Sequence, residues 1–436
     1  MTSQELTIDD FVIRSSSHTP FFGVYLASHA IYDSLCMCHA SVGCKVKTQY
    51  HLVGHEGIRS AHRRMRYSQF IDEDLINGCT KQLEEEIVAW QRRQDSQLVV
   101  IDPSTPISLQ AQDHTGVVKR LEEKMGVRVI FVDTRNYEND LYSGYANTIG
   151  EILRRLDWET SQTRDDEVTL IGYPFDRYEA DNHANVNELR RIMKSLGFKV
   201  PAFFLAGEPF DRLKKAPRAK SHLLMPYAHS QAKVLRKLKK EYYKIGWPMS
   251  VAGTTNWIRT VGKALKVEDE KVNGLIQFEL TRLKPLLELT KKKISGAAFA
   301  VFSDAPRAAG IIATLMEAGM VPKHISVLHF DLGGRKEVEE MLASDYNITL
   351  PGNITWQENA TPEEIRQSNL QECQLSVGTS VERALIYAPH CAWLELGFPS
   401  NNRHYIFPSP YLGYSGAVNL LQQVNHQMES LSRWGH

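Results

Sequence analysis

The sequence contains no stretch approaching the roughly 20 apolar residues that a membrane span requires. Residues Met1 to Asp10 are polar and acidic and lack the basic start and apolar core of a secretion signal. The chain is therefore expected in the cytoplasm. It has no net charge, since 51 Lys and Arg balance 51 Asp and Glu. No broad basic field exists to hold nucleic acid or an anionic membrane, and the local runs at Lys237 to Lys240 and Lys291 to Lys293 read as solvated helix faces. Motifs are missing as well. There is no G-x-x-x-x-G-K-S/T loop, no G-x-G-x-x-G and no H-E-x-x-H, so no recognisable ATP, dinucleotide or metalloprotease site is encoded. No G-x-S-x-G elbow supports a hydrolase. Cysteine is scarce, six in 436 residues, which excludes a disulfide framework.

What is present is a short apolar run, a turn and an amphipathic helix, repeated along the chain. Leu98 to Asp102, Val127 to Asp133, Val168 to Gly172, Ala202 to Leu205, Ala297 to Phe302 and Ile325 to Phe330 read as strands. Helices are expected between them at Thr115 to Met125, Asn185 to Leu196 and Pro306 to Ala318. Buried parallel strands appear as continuous apolar runs because helices cover both faces of the sheet. The alternation predicts an α/β chain of three doubly wound, Rossmann-like parallel sheets with a C-terminal helix packing back. The polar stretch Glu159 to Glu167 and the long helical segment Glu268 to Lys293 suggest boundaries. These give an N-terminal domain over 1–160, a middle domain over 161–290 and a C-terminal domain over 291–436.

Four of the six cysteines, Cys36, Cys38, Cys44 and Cys79, lie in the first fifth of the chain, which points to redox or metal chemistry as well as to packing. A strand over Leu35 to Cys38 runs into a small-residue turn, Ala40 to Gly43, and then Cys44. Gly43 permits a tight turn and close approach of a bulky group. Lys45, Lys47 and a helix start would favour the metal-binding thiolate of Cys44; the alternative is a buried or merely reactive cysteine. Cys36 and Cys38 share one strand face. Their C-x-C spacing is not that of a zinc or ferredoxin loop, and core packing is the plainer reading, with ligation as the alternative. Cys79 sits at an expected helix start, structural unless it too is a ligand. Cys373 and Cys391 flank a strand and read as core. His29, His39, His51, His55 and His62 read as structural. His18, beside Pro20 and Gly23, is a candidate ligand or proton donor, or a turn cap.

The segment Pro20 to Cys44 resembles the start of subunits of the nitrogenase component 1 family. There a strand and an H-G-S-Q-G-C-like turn present a cluster-ligating cysteine; here the turn is His39-Ala40-Ser41-Val42-Gly43-Cys44. Asp72 to Leu83 and Ser104 to Asp113 resemble two further segments of the family. Leu223 to His229, Trp247 to Ala252 and Leu396 to Val424 resemble its β-type middle and end. The resemblance spans about residues 20 to 430. It implies a β-type subunit in an α₂β₂ complex with an α-type partner. Such complexes receive electrons from a separate ATP-hydrolysing P-loop iron protein, which fits the missing P-loop.

Catalytic β subunits of the family supply three cysteines to an eight-iron cluster. Here the first of those positions falls at His18 or Thr19 and the third at about Thr105, and only Cys44 is kept. The resemblance thus implies one [4Fe-4S] cluster, shared with the α-type partner and held from this chain by Cys44. The expected function is reduction of a bound substrate with electrons passed through that cluster. The rivals are a scaffold for assembly of a nitrogenase-type metal cofactor and a cluster-free α/β binding module.

Overall fold

The computed structural model describes residues 19–55, 64–68, 70–109, 112–134, 139–159 and 161–434. Thirteen strands among them form three parallel sheets. The first has the order β2-β1-β3-β4, with β1 Ser34–His39, β2 Met65–Tyr67, β3 Leu98–Pro103 and β4 Arg128–Phe131. The second runs β6-β5-β7-β8, from β5 Arg164–Ile171, β6 Lys199–Phe203, β7 Ala219–Leu224 and β8 Glu241–Lys244. The third runs β11-β10-β9-β12-β13, from β9 Ala298–Ser303, β10 Val321–Val327, β11 Thr355–Glu358, β12 Leu375–Gly378 and β13 Ala392–Glu395. The three-sheet, doubly wound architecture expected from the alternating pattern is thus the one observed. No helix among the described residues is long and apolar enough to cross a membrane.

The chain divides into two compact units. Residues 1–178 and 200–242 make the first; residues 179–199 and 243–436 make the second. In the first, the apolar alternation of each strand sets its faces. Leu35 and Met37 of β1, with Val99 and Ile101 of β3, pack against Leu83 and Ile87 of helix Thr80–Gln91 and Val117 and Leu121 of helix His114–Met125. The intervening residues Cys36, Cys38, Val100 and Asp102 therefore point to the opposite face. Helix Pro20–His29 packs against β1 and β3 and, more closely, against helix Leu141–Arg155. That crossing depends on two glycines. A Cβ on Gly23 would stand 1.8 Å from the Leu141 carbonyl oxygen, and one on Gly144 would stand 1.9 Å from the Pro20 carbonyl oxygen. Asp140 fixes the start of the second helix by accepting from the Tyr142 amide at 2.8 Å.

In the second unit the C-terminal helix, Gly413–Trp434, lies against the long helix Asp269–Ile294, helix Ala180–Ser195 and β13. Its entry is built from buried polar side chains. Asn185 Oδ1 accepts from the Tyr411 and Leu412 amides, and Glu188 Oε1 from the Ser415 amide. Gly413 enters at φ 72°, and a Cβ there would meet Glu188 Cγ at 2.5 Å. His404 Nδ1 stands 2.6 Å from Glu179 Oε1, and Tyr405 donates its amide to Glu179 Oε2 at 2.8 Å. The Arg403-His404 pair and the Leu412-Gly413-Tyr414 run are thus the joint between the last helix and its support.

Three local expectations need correction. The polar stretch Glu159 to Glu167 is not wholly a linker, because β5 already begins at Arg164. Its charged residues are satisfied across the sheet, Asp165 by Lys220 and Glu167 by Arg218, both at 2.8 Å. The strand expected at Ile325 to Phe330 instead runs Val321–Val327, since His329 turns the chain with φ 66°. Gly43 is not in a strained turn: helix Val42–His55 has already begun, and an added Cβ would meet nothing within 4 Å.

Candidate functional site

In an open parallel sheet, ligands sit beyond the carboxyl ends of the strands where the strand order reverses. In the first sheet the chain passes from β1 to β2 on one side and to β3 on the other, so that point lies between β1 and β3. Cys38 pairs with Asp102 in register there, and His39 with Pro103. Helix Val42–His55 follows β1, and the short helix Thr105–Leu109 follows β3.

Cys44 occupies the first turn of the helix after β1 and is half-buried, whereas Cys36, Cys38, Cys79, Cys373 and Cys391 are buried. Its amide donates to the Ser41 carbonyl at 3.2 Å, and Ser41 Oγ lies 4.0 Å from its Sγ. Thr48 Oγ1 donates back to the Cys44 carbonyl at 2.8 Å and is held in turn by the Tyr67 hydroxyl of β2. The open volume at Gly43 and the partial exposure of Cys44 leave room for a bulky inorganic group at this turn. The residues present fit a single cysteine ligand from this chain.

Cys79 lies immediately before helix Thr80–Gln91, where the sequence places a helix start. It touches the site region through His39. Its Sγ is 3.2 Å from His39 Nε2, while His39 Nδ1 bonds Ser68 Oγ at 2.7 Å. Burial, followed by the charge of His114, pushes the His39 imidazole down to about 4. Burial holds the Cys79 thiol above its ordinary range. The pair is neutral at physiological pH. Phe70, Cys79 and Ile107 pack together, and the His39 and Phe70 rings meet edge to face at 5.7 Å. The segments leaving β1, β2 and β3 are thereby bound into one support around the Cys44 turn.

Cys36 and Cys38 do share a face, as their spacing implies, with sulfur atoms 3.9 Å apart. Sequence reasoning passed over their third neighbour. Asp102, fully buried at the end of β3, stands 4.0 Å from Cys38 Sγ through its Oδ2. The signal was an acidic residue closing the apolar run Leu98 to Ile101, where a buried strand has no need of one. His18 lies outside the described residues. Thr105, the third family position, begins the helix after β3.

The family model for nitrogenase component 1 type oxidoreductases matches residues 19–429. The chain belongs to that family. Its relatives include the nitrogenase iron-molybdenum cofactor biosynthesis protein NifE of Clostridium pasteurianum, 21% identical over 94% of this chain and 87% of the relative. The nitrogenase molybdenum-iron protein beta chain of Azospirillum brasilense is 22% identical over 97% and 83%. A light-independent protochlorophyllide reductase subunit of Heliobacterium modesticaldum is 21% identical over 82% and 68%. A solved structure, nitrogenase Cp1 at pH 6.5, superposes on 100% of this chain and 96% of its own with a TM-score of 0.81 at 17% identity. The sequence resemblance to β-type members of the nitrogenase component 1 family is therefore correct, and so is the α/β fold it implied.

Proposed function

We propose that this nitrogenase component 1 family member is the β-type subunit of a reductase complex and holds one edge of a [4Fe-4S] cluster through Cys44. The observation that carries the reading is the placement of Cys44. It is the half-exposed cysteine of the six, in the first turn of the helix that follows β1, beside the switch point of the first sheet. The amide dipoles of that turn favour a negatively charged ligand group. Such a cluster supplies one-electron transfer. The chain contributes one thiolate, the Thr48 and Tyr67 support behind it, and the buried His39–Cys79 pair that fixes the surrounding segments.

An α-type partner must complete the ligand set, and exposed apolar residues on the segments that follow β1, β2 and β3 suit one. Val46, Ile71, Ile76 and Leu109 are exposed, Ile76 by 85%. All four lie on segments leaving the carboxyl ends of β1, β2 and β3. Exposed apolar side chains on neighbouring segments suit an interface. Electrons would come from a P-loop iron protein, since the sequence has no nucleotide loop of its own.

A second reading, a scaffold for cofactor assembly, is favoured by the similarity to a cofactor biosynthesis protein. Anaerobic purification with the α-type partner, followed by iron and sulfide analysis, tests both. The expected result is roughly four iron atoms per αβ pair, lost or made labile in Cys44→Ala. About eight iron atoms per pair, or full iron and full electron acceptance in Cys44→Ala, would overturn the reading. Net reduction of a substrate by the loaded complex separates a reductase from a scaffold.

A further inference from the structure

Beneath the Cys44 turn, Cys36, Cys38 and Asp102 converge in the core of the first unit. Their donor atoms all lie within 4.8 Å of one another. None of the three is more than 3% exposed. The arrangement is set by the backbone. Two cysteines at alternate positions of β1 face the same way, and the register of β1 with β3 puts Asp102 directly across from Cys38.

Three features distinguish this cluster from packing. The first is chemical: a carboxyl is poor filling for an apolar interior, and once buried it needs its oxygens satisfied. Among the described residues Asp102 Oδ1 has no hydrogen-bond partner, although it is wholly buried. Its other oxygen meets only the Cys38 sulfur, at 4.0 Å. The second is positional. The three donors come from two paired strands and face one another, with Cys38 and Asp102 in direct register.

The third is metric. Metal–sulfur bonds of about 2.3 Å at tetrahedral angles separate two thiolates by about 3.8 Å. A thiolate and a carboxylate oxygen on the same ion stand about 3.6 Å apart. The observed separations are 3.9 Å and 4.0 Å. Those two separations are within a few tenths of an ångström of ligation values, and the third, between Cys36 and Asp102, lies within 4.8 Å.

We propose that Cys36, Cys38 and Asp102 bind a borderline-soft divalent metal ion of the zinc class, pinning β1 to β3 directly beneath the Cys44 turn. Two thiolates and one carboxylate suit zinc and disfavour magnesium or calcium, which take oxygen ligands. Binding expels the protons of the two thiols and of the Asp102 carboxyl. Because the donors are buried, the ion enters as the unit folds and is slow to leave afterwards. The site does not depend on the reading of Cys44, which is not one of its three donors.

The test uses the full chain, purified anaerobically after growth with zinc and dialysed against a chelator. About one zinc per chain should remain. In Cys36→Ser, Cys38→Ser and Asp102→Asn the content should fall at least tenfold, and in Cys44→Ser it should persist. Protein grown on cobalt should show thiolate-to-cobalt charge-transfer absorption that Cys44→Ser keeps and Cys38→Ser loses. Soluble parent protein without retained zinc or cobalt overturns the proposal, whether or not the variants fold. So does metal retained in folded Cys38→Ser. Iron in place of zinc, lost with Cys44→Ser, would also overturn it while leaving the cluster reading intact.

Discussion

Replacing His39 with glutamine should flatten the acid sensitivity of the first unit. The imidazole is fully buried between Cys79 Sγ and Ser68 Oγ, and its folded value is about 4 against an ordinary 6.5. Between those two values the unfolded chain takes up a proton that the folded chain refuses. Stability is therefore intact above pH 6.5 and declines as the pH falls toward 4. One refused proton costs about 1.4 kcal/mol per pH unit, or about 3 kcal/mol over the window. His222, buried beside Thr169, is likewise lowered to about 4 by burial and then by Lys240, so it adds to the slope that His39 gives the first unit. Glutamine keeps a partner for Ser68 and has no proton to gain. At pH 7 the variant should be less stable by about 1–2 kcal/mol from lost contacts. The gap should narrow by about 1.4 kcal/mol per unit as the pH falls below 6. Urea unfolding followed by circular dichroism at pH 7, 6 and 5 measures this. Parallel stability curves for parent and variant across that range would refute the reasoning.

Gly23→Ala should destabilise the first unit by about 3 kcal/mol or more, because the added methyl meets backbone that side-chain movement cannot relieve; thermal unfolding reads it, and an unchanged midpoint would contradict the helix crossing. Glu279 is fully buried and holds Arg191 and, at 2.7 Å, Arg282. Glu279→Ala should cost about 2 kcal/mol, below the usual figure for a broken buried pair because both guanidiniums are partly exposed and can rehydrate; urea unfolding checks it. His18→Ala, studied in the purified complex, separates three roles. A changed EPR spectrum indicates ligation, an intact spectrum with a shifted pH profile indicates proton delivery, and neither change indicates a structural residue.

The alternation of apolar runs with amphipathic helices was enough to set the fold class, because a strand covered on both faces has no polar register to show. It placed β3, β9 and helix Asp269–Ile294 to within a residue or two at each end. It failed where charge crosses a sheet, as at Arg164 to Glu167, since ion pairs between strands leave no local periodicity. The C-x-C spacing placed both sulfurs of Cys36 and Cys38 on one face, and the chain order around Cys44 singled out that residue. The sequence could not say that Asp102 stands opposite Cys38, that His39 reaches back to Cys79, or that Gly23 and Gly144 let two helices touch. Each is a contact between residues far apart in the chain, fixed by strand register and helix crossing. A run of side chains dictates which face turns inward; only the paired backbone decides which distant group it meets there.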